Sequence, residues 1–159
     1  MTPADLDQAL ASQTGRAILD VFAGHAPLAK LDELVHAEHE LHQNLADFKP
    51  IKGREKFARL VGFYHSALSD WQVAIEDEVW DQRAVVYRLS AAATHSGPLG
   101  LIRATNKRIE FSAVLTVEFL GHMAFRTTLF AEGISILRQM EALELVDPCP
   151  EGASTLGAK

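Results

Sequence analysis

Two side chains in this sequence place an ionisable group where a predicted strand meets a loop. His95 ends one strand just before Ser96-Gly97-Pro98, and an imidazole with an ordinary pKa of about 6.5 suits general acid/base chemistry near neutral pH. The structural alternative is that His95 hydrogen-bonds the loop backbone and braces the turn. Glu132 follows the last strand, where a carboxyl group among apolar side chains could act as a general acid or base. Its structural alternative is a favourable negative charge at the start of the last helix.

Three histidines, His36, His39 and His42, recur at intervals of three, with Glu38 and Glu40 between them. On a helix this spacing could group imidazoles with a carboxylate, a set that binds metals. Zinc-binding helices favour an interval of four, however. A solvated polar face is the simpler interpretation, so we predict no metal site. The sequence leaves open whether this segment is helix or strand.

Arg88 lies in the middle of a predicted strand among apolar neighbours. A buried guanidinium requires a carboxylate partner, which Glu110 or Glu118 on the next strand could supply. A cross-strand ion pair on an outer or dimer face is the structural interpretation. The functional interpretation is that Arg88 orients a ligand carbonyl or carboxylate.

The elements that would position these residues follow from hydrophobic periodicity and turn residues. Apolar residues at helical spacing predict three helices. The first starts at Thr2-Pro3, the second runs from about Leu28 to Val35, and the third runs from Arg54 to Leu68. Alternating patterns predict strands at Trp71–Trp80, Arg83–His95, Lys107–Phe119 and Met123–Phe130, and a final helix follows at Ile134–Leu143. On the first of these strands, Val73, Ile75, Asp77 and Val79 should share one face.

The strand from Lys107 alternates cleanly, so one of its faces should be buried. Helices followed by a run of antiparallel strands predict an α+β domain, in which a curved sheet closed by helices forms a cone around a pocket. Aromatic residues, Tyr64 and Trp71 among them, are suited to lining such a pocket, although filling the core is their default role. The run Ala91-Ala92-Ala93 leaves volume for a ligand or for a partner subunit.

Composition narrows the function classes. The length of 159 residues predicts one domain, over residues 1–146, with a flexible tail at 147–159. A net charge of −6 disfavours nucleic acid. No apolar run reaches the roughly 20 residues that span a membrane, and the N-terminus does not have the pattern of a signal peptide. We therefore expect a cytoplasmic protein that engages neither nucleic acid nor membrane.

Four short phrases occur in an order and at a spacing that resemble the SnoaL-like polyketide cyclase family of the NTF2-like superfamily. They are Gly53-Arg54-Glu55, Val73–Asp77, Ala93–Gly97 and Asn106–Phe111, and the resemblance covers roughly Leu28 to Leu143. It implies an NTF2-like cone, with N-terminal helices packed on a curved, mostly antiparallel sheet and a short C-terminal helix. It also implies a homodimer through the outer sheet face, a cavity for a small hydrophobic molecule, and acid/base chemistry without a cofactor.

The resemblance also shows where this chain departs from the family. The histidine and aspartate of the cyclases fall on Leu115 and Leu129, and leucine cannot transfer a proton. His42 falls where members often have a histidine that faces the cavity. If the protein is an enzyme, we expect aldol cyclisation, isomerisation, dehydration or epoxide opening. Under that hypothesis the proton-transfer residues are His95, Glu132 and His42, and the ligand-binding residues are Arg88, Tyr64, Trp71, Leu115 and Leu129. The alternative is a ligand-binding or dimerisation module without catalysis.

Overall fold

The computed structural model describes residues 7–44 and 49–143. The helices are α1 (Gln8–Phe22), α2 (Leu31–Leu34, preceded by a 3-10 turn at Leu28–Lys30), α3 (Arg54–Ala67) and α4 (Gly133–Gln139). The strands are β1 (Val35–Gln43), β2 (Ile51–Lys52), β3 (Leu68–Trp80), β4 (Ala84–His95), β5 (Arg108–Leu120) and β6 (Met123–Ala131). They form one sheet in the order β2-β1-β6-β5-β4-β3, antiparallel except where β1 meets β6. The predicted α+β cone is confirmed.

Helix α1 packs closely on β4, where Gly15 meets the Tyr87 ring. The Asp7 side chain caps the helix by accepting a hydrogen bond from the Leu10 N–H at 2.7 Å. Gly15 does not interrupt the helix; it is buried against the Tyr87 ring of β4. The Tyr87 hydroxyl donates to the Ser12 carbonyl at 3.0 Å, and burial raises the pKa of Tyr87 to about 12. The helix start predicted at Thr2-Pro3 and the tail predicted at 147–159 lie outside the described residues.

The helix predicted from about Leu28 to Val35 is present to Leu34, and only its last residue is wrong. Helix α2 ends at Leu34, and Val35 already has extended backbone angles because it pairs with Ala124 of β6. The ambiguous segment that follows is therefore strand β1. Parallel pairing with a strand so distant in sequence leaves no local signal, which is why periodicity alone could not decide between helix and strand.

A β-bulge in β3 reverses which of its alternating side chains face the core. The register of β3 against β4 shifts between Ile75 and Asp77, so one extra residue is inserted in β3. Val73 and Ile75 face the core, but beyond the bulge Trp80 packs inward and Val79 is 57% exposed. The predicted single face from Val73 to Val79 is therefore wrong at its far end.

The two faces of the sheet differ in what covers them. The inward residues of β5 are buried under the helices as predicted; they include Ile109, Ala113, Leu115 and Val117. On the outer face Val114 and Phe130 are direct cross-strand neighbours and are 39% and 55% exposed. The homodimer through this face stays a prediction. No helix of the described residues is long and apolar enough to cross a membrane.

The loop between β4 and β5 is anchored at the end of α3. The backbone N–H groups of Ser96 and Gly97 both donate to the Ala67 carbonyl at 3.0 Å. A Cβ atom on Gly97 would lie 2.0 Å from the Ser66 carbonyl oxygen, so only glycine permits this approach. The predicted break at Ser96-Gly97-Pro98 is thus a fixed turn.

Gly15→Ala should lower the free energy of unfolding by about 2 kcal/mol, because overpacking outweighs the better helix propensity of alanine. The added Cβ would lie 2.3 Å from Tyr87 Oη and 2.7 Å from its Cε2, and the Tyr87 side chain is fully buried. Gly62→Ala in α3 is the matched control. Its Cβ would lie 3.3 Å from the mobile end of the Leu28 side chain, so its stability should stay equal or rise. Urea unfolding gives the free energy of unfolding of both variants. Equal losses in the two variants would contradict the close contact between Gly15 and Tyr87.

Candidate functional site

A cavity of about 1330 Å³ lies between the concave face of the sheet and the helices. Helices α1, α3 and α4, the inward residues of β3 to β6, and the turn at residues 99–102 form its wall. Four of the residues predicted to bind a ligand line it, namely Tyr64, Trp71, Leu115 and Leu129. Among the described lining residues Glu132 is the only carboxylate and Arg138 the only cation. A largely apolar wall with few polar groups is typical of a small-molecule site.

Glu132 stands at the rim of the cavity, between the end of β6 and the start of α4. Its Oε2 accepts a hydrogen bond from the Ser112 N–H at 2.8 Å. The residue before it, Ala131, is clamped by Asn44, whose side-chain amide donates to the Ala131 carbonyl and accepts from its N–H, both at 3.0 Å. The carboxylate is therefore placed by two neighbouring strands.

A second polar group lies where β1 meets α3. The Tyr64 hydroxyl donates to Gln43 Oε1 at 3.1 Å, and both residues line the cavity. Burial raises the pKa of Tyr64, so the phenol stays protonated at neutral pH. Sequence reasoning missed Gln43 and Asn44, because their hydrogen-bond partners lie 21 and 87 positions away in the chain.

Trp71 contributes its aromatic ring to the wall. Its ring meets Phe111 edge to face, with centroids 6.2 Å apart and planes at 82°. Its Nε1 is enclosed and has no hydrogen-bond partner among the described residues.

His95 is fully buried but does not line the cavity. Its Nδ1 lies 3.1 Å from Thr105 Oγ1, and its backbone pairs with Lys107 and Asn106 across the base of the loop. Burial also lowers the pKa of His95. These contacts match the structural alternative, in which His95 braces the loop.

The predicted inward orientation of His42 is wrong. In β1 the inward residues include Leu41 and Gln43, so His42 points to the outer face. There its Nε2 lies 3.4 Å from Glu40 Oε2, and the Glu40 carboxylate also pairs with Lys52 at 3.1 Å and with Arg126 at 3.6 Å.

Arg88 is also separated from the cavity by the sheet. It is exposed on the outer face, opposite Val114 of β5. Its predicted partner Glu118 instead pairs with Arg126 at 3.0 Å, and within the described ranges no carboxylate forms an ion pair with Arg88. The placement matches the outer-face interpretation without the expected ion pair.

A sequence comparison now identifies the family. The sequence profile of SnoaL-like polyketide cyclases matches residues 13–140. The chain belongs to the SnoaL-like polyketide cyclase family. A comparison with curated proteins gave no significant match.

Solved structures share the NTF2-like cone of this SnoaL-like protein. TsrD from Streptomyces laurentii has a TM-score of 0.76 at 19% identity, over 87% of this chain and 100% of that one. IdmH, a candidate polyketide cyclase from Streptomyces antibioticus, has a TM-score of 0.70 at 19% identity, over 82% and 98%. An LEH-like epoxide hydrolase from M. tuberculosis has a TM-score of 0.64 at 18% identity, over 87% and 97%. At these identities the likeness shows the fold alone.

The family's histidine and aspartate positions, as the resemblance places them, meet in this SnoaL-like chain. Leu115 and Leu129 are direct cross-strand partners, and both line the cavity. The pair forms an apolar wall where a cyclase would have a proton-transfer dyad. Any proton transfer in this cavity must therefore use other groups.

A buried histidine lies behind the cavity wall. His39 is fully buried, its Nε2 lies 2.9 Å from Thr127 Oγ1, and its ring centroid is 4.5 Å from that of Phe57. Burial lowers the pKa of His39 to about 4, so the imidazole is neutral at physiological pH. Its neighbours His36 and His42 lie elsewhere on β1, because a strand separates residues that a helix would group.

Lowering the pH should destabilise the protein through His39. The unfolded chain takes up a proton near pH 6.5 and the folded chain only near pH 4, so stability is complete above pH 6.5 and falls as the pH drops towards 4. Between pH 7.5 and pH 5 this loss should be about 2 kcal/mol. Urea unfolding of His39→Gln should show a loss smaller by that amount, whereas His122→Gln, at an exposed turn, should match the parent. An unchanged pH dependence in His39→Gln would contradict the assignment.

Proposed function

We propose that this SnoaL-like protein binds a small, mainly apolar, oxygenated molecule inside its cone and converts it by proton transfer at Glu132, without a cofactor. The observation that carries the proposal is an apolar cavity of about 1330 Å³ with one carboxylate among its described lining residues. A carboxylate beside an apolar site can remove a proton from carbon next to a ligand carbonyl. That step is common to aldol cyclisation and to isomerisation.

Three features support Glu132 as the base. It lines the cavity and is also exposed to solvent. The Ser112 N–H, at 2.8 Å, holds one carboxylate oxygen and leaves the other available. Asn44 fixes the preceding residue, so the carboxylate is oriented before the ligand arrives, and such preorganisation is what catalysis requires.

Ligand binding without chemistry is the second candidate. The paired leucines 115 and 129 favour it, because they stand where the resemblance places the family's dyad. In that case the polar groups at Tyr64 and Gln43 would serve recognition alone. The two candidates share the cavity and differ only in the role of Glu132.

Filling the cavity should block binding. Ala113→Trp adds a large side chain at an inward, lining position of β5, and it should weaken binding of the uncharged dye Nile red by about tenfold or more. Ala74→Trp, at an exposed position of β3, is the matched control and should bind like the parent. Fluorescence titration gives the affinities, and circular dichroism shows that both variants fold. Equal affinities would mean that the dye binds elsewhere and would count against the cavity.

Removing the Glu132 carboxylate should remove most of the base catalysis. Nitrobenzisoxazole opens when a base removes one C–H proton, so its ring opening reports a general base without knowledge of the natural substrate. The parent should accelerate it, and Glu132→Gln should lower the rate constant by about a hundredfold. Glu110→Gln, at an exposed residue of β5, is the control and should keep the parent's rate. Binding of the compound without acceleration by the parent would favour the second candidate.

A further inference from the structure

Exposed hydrophobic side chains from three elements meet where the cavity opens to solvent. The two most exposed large hydrophobic residues of the described chain are Leu101, at 94%, and Ile134, at 65%. Ile134 lines the cavity, as do Gly100 and Ile102 on either side of Leu101. Phe63 of α3 is also both lining and exposed. Single exposed hydrophobic residues are ordinary on a protein surface, but three around one opening mark an interaction site. Phe63, Leu101 and Ile134 are called the apolar rim.

Each member of the apolar rim has an exposed arginine close to it in the chain. These arginines are Arg59 on α3, Arg103 in the loop and Arg138 on α4. Arg59 lies one helical turn before Phe63, and Arg138 lies one turn after Ile134, so each shares a helix face with its hydrophobic neighbour. None of the three arginines forms an ion pair within the parts of the chain that the structure describes.

Positive charge prevails at the apolar rim although the chain as a whole is acidic. The net charge of the chain is −6. At the opening, Glu132 is the only carboxylate among the described lining residues, and Glu141 beyond α4 is already paired with Lys107. An anionic surface would therefore attract this end of the protein and repel the remainder, which would orient the opening towards that surface.

We propose that the apolar rim docks on an anionic lipid bilayer, with its hydrophobic side chains inserted and the three arginines on the lipid phosphates. The proposal goes beyond the proposed function and does not rest on it. Peripheral binding of this kind combines burial of apolar side chains with attraction between cations and anionic headgroups. The sequence-based expectation of no membrane contact considered a spanning segment and a signal peptide, and peripheral binding requires neither.

A bilayer fits the apolar rim better than a protein partner does. Two copies docked through this end would bring like charges together, which is unfavourable. An acidic protein would satisfy the arginines, but it would need a matching pocket for each of three separate projecting side chains. A fluid lipid surface closes around such side chains without shape complementarity. Docking would also place the cavity opening at the bilayer, where an apolar ligand is concentrated.

Co-sedimentation of the full chain with lipid vesicles tests the proposal. At low salt the parent should bind vesicles made of equal parts phosphatidylglycerol and phosphatidylcholine, and it should not bind vesicles of phosphatidylcholine alone. Raising the ionic strength to about 0.5 M should release the protein, because salt screens the attraction between arginine and phosphate.

Removing hydrophobic side chains from the apolar rim should weaken this binding. The double variant Leu101→Ser, Ile134→Ser should bind the anionic vesicles about tenfold more weakly. The matched control is Val79→Ser, Leu120→Ser, because both residues are exposed hydrophobics at the hairpin ends of β3 and β5, away from the described cavity wall. This control should bind like the parent.

Removing positive charge from the opening should also weaken binding. Arg59→Gln, Arg103→Gln should bind the anionic vesicles about tenfold more weakly, since each cation near the lipid surface contributes. Arg83→Gln, Arg88→Gln removes the same charge from exposed positions away from the described cavity wall, so it should bind like the parent.

A gain in binding provides a test that misfolding cannot imitate. Tryptophan favours the membrane interface, so Leu101→Trp should bind the anionic vesicles about threefold more tightly, whereas Leu120→Trp should match the parent. The proposal is overturned if the parent does not bind anionic vesicles at low salt, a result that would favour an acidic protein as the partner. It is also overturned if the control variants lose as much binding as the rim variants. Either failure leaves Nile red binding inside the cavity, and with it the proposed function, unaffected.

Discussion

The continuous antiparallel ladder between β4 and β5 is the constraint on which the rest of the structure depends. It pairs every residue from Ala84 to Thr94 with a partner on β5, without a bulge. Because side chains alternate along a strand, this unbroken register decides which residues face the concave side and which face outward. It thereby gives the cavity its apolar wall and places Arg88 and Val114 on the opposite face.

The polar chemistry of the cavity is concentrated where β1 and β6 end. Within the β4–β5 ladder, backbone groups satisfy one another and the side chains that line the cavity are apolar. At the margins, side chains complete the hydrogen bonding: Glu132 accepts from Ser112, and Asn44 bonds both backbone groups of Ala131. The polar groups available to a ligand therefore lie where strands of the sheet end.

The local pattern of apolar and polar residues was enough to predict much of the fold. The alternation of β5 predicts its buried face because antiparallel strands with one covered face show their environment directly. The same logic fails on β3, since a bulge is visible only in the register with β4. It fails on β1 as well, because the pairing partner is far along the chain. The inward orientation expected for His42 came from the family resemblance and not from this pattern. Inward apolar residues such as Leu115 and Leu129 could be predicted for the cavity. Asn44 could not, because its role depends on a residue 87 positions away.

The loop after β4 is hydrogen-bonded at both of its ends and exposed at its tip. Ser96 and Gly97 tie its start to Ala67, and Lys107 and Asn106 tie its end to His95. Between these ties, the turn at residues 99–102 contributes to the cavity wall, and Leu101 at its tip is 94% exposed. Changes at the tip would alter the entrance while the sheet and helices keep their packing. The loop tip is thus a practical place to exchange sequence when redesigning the cavity.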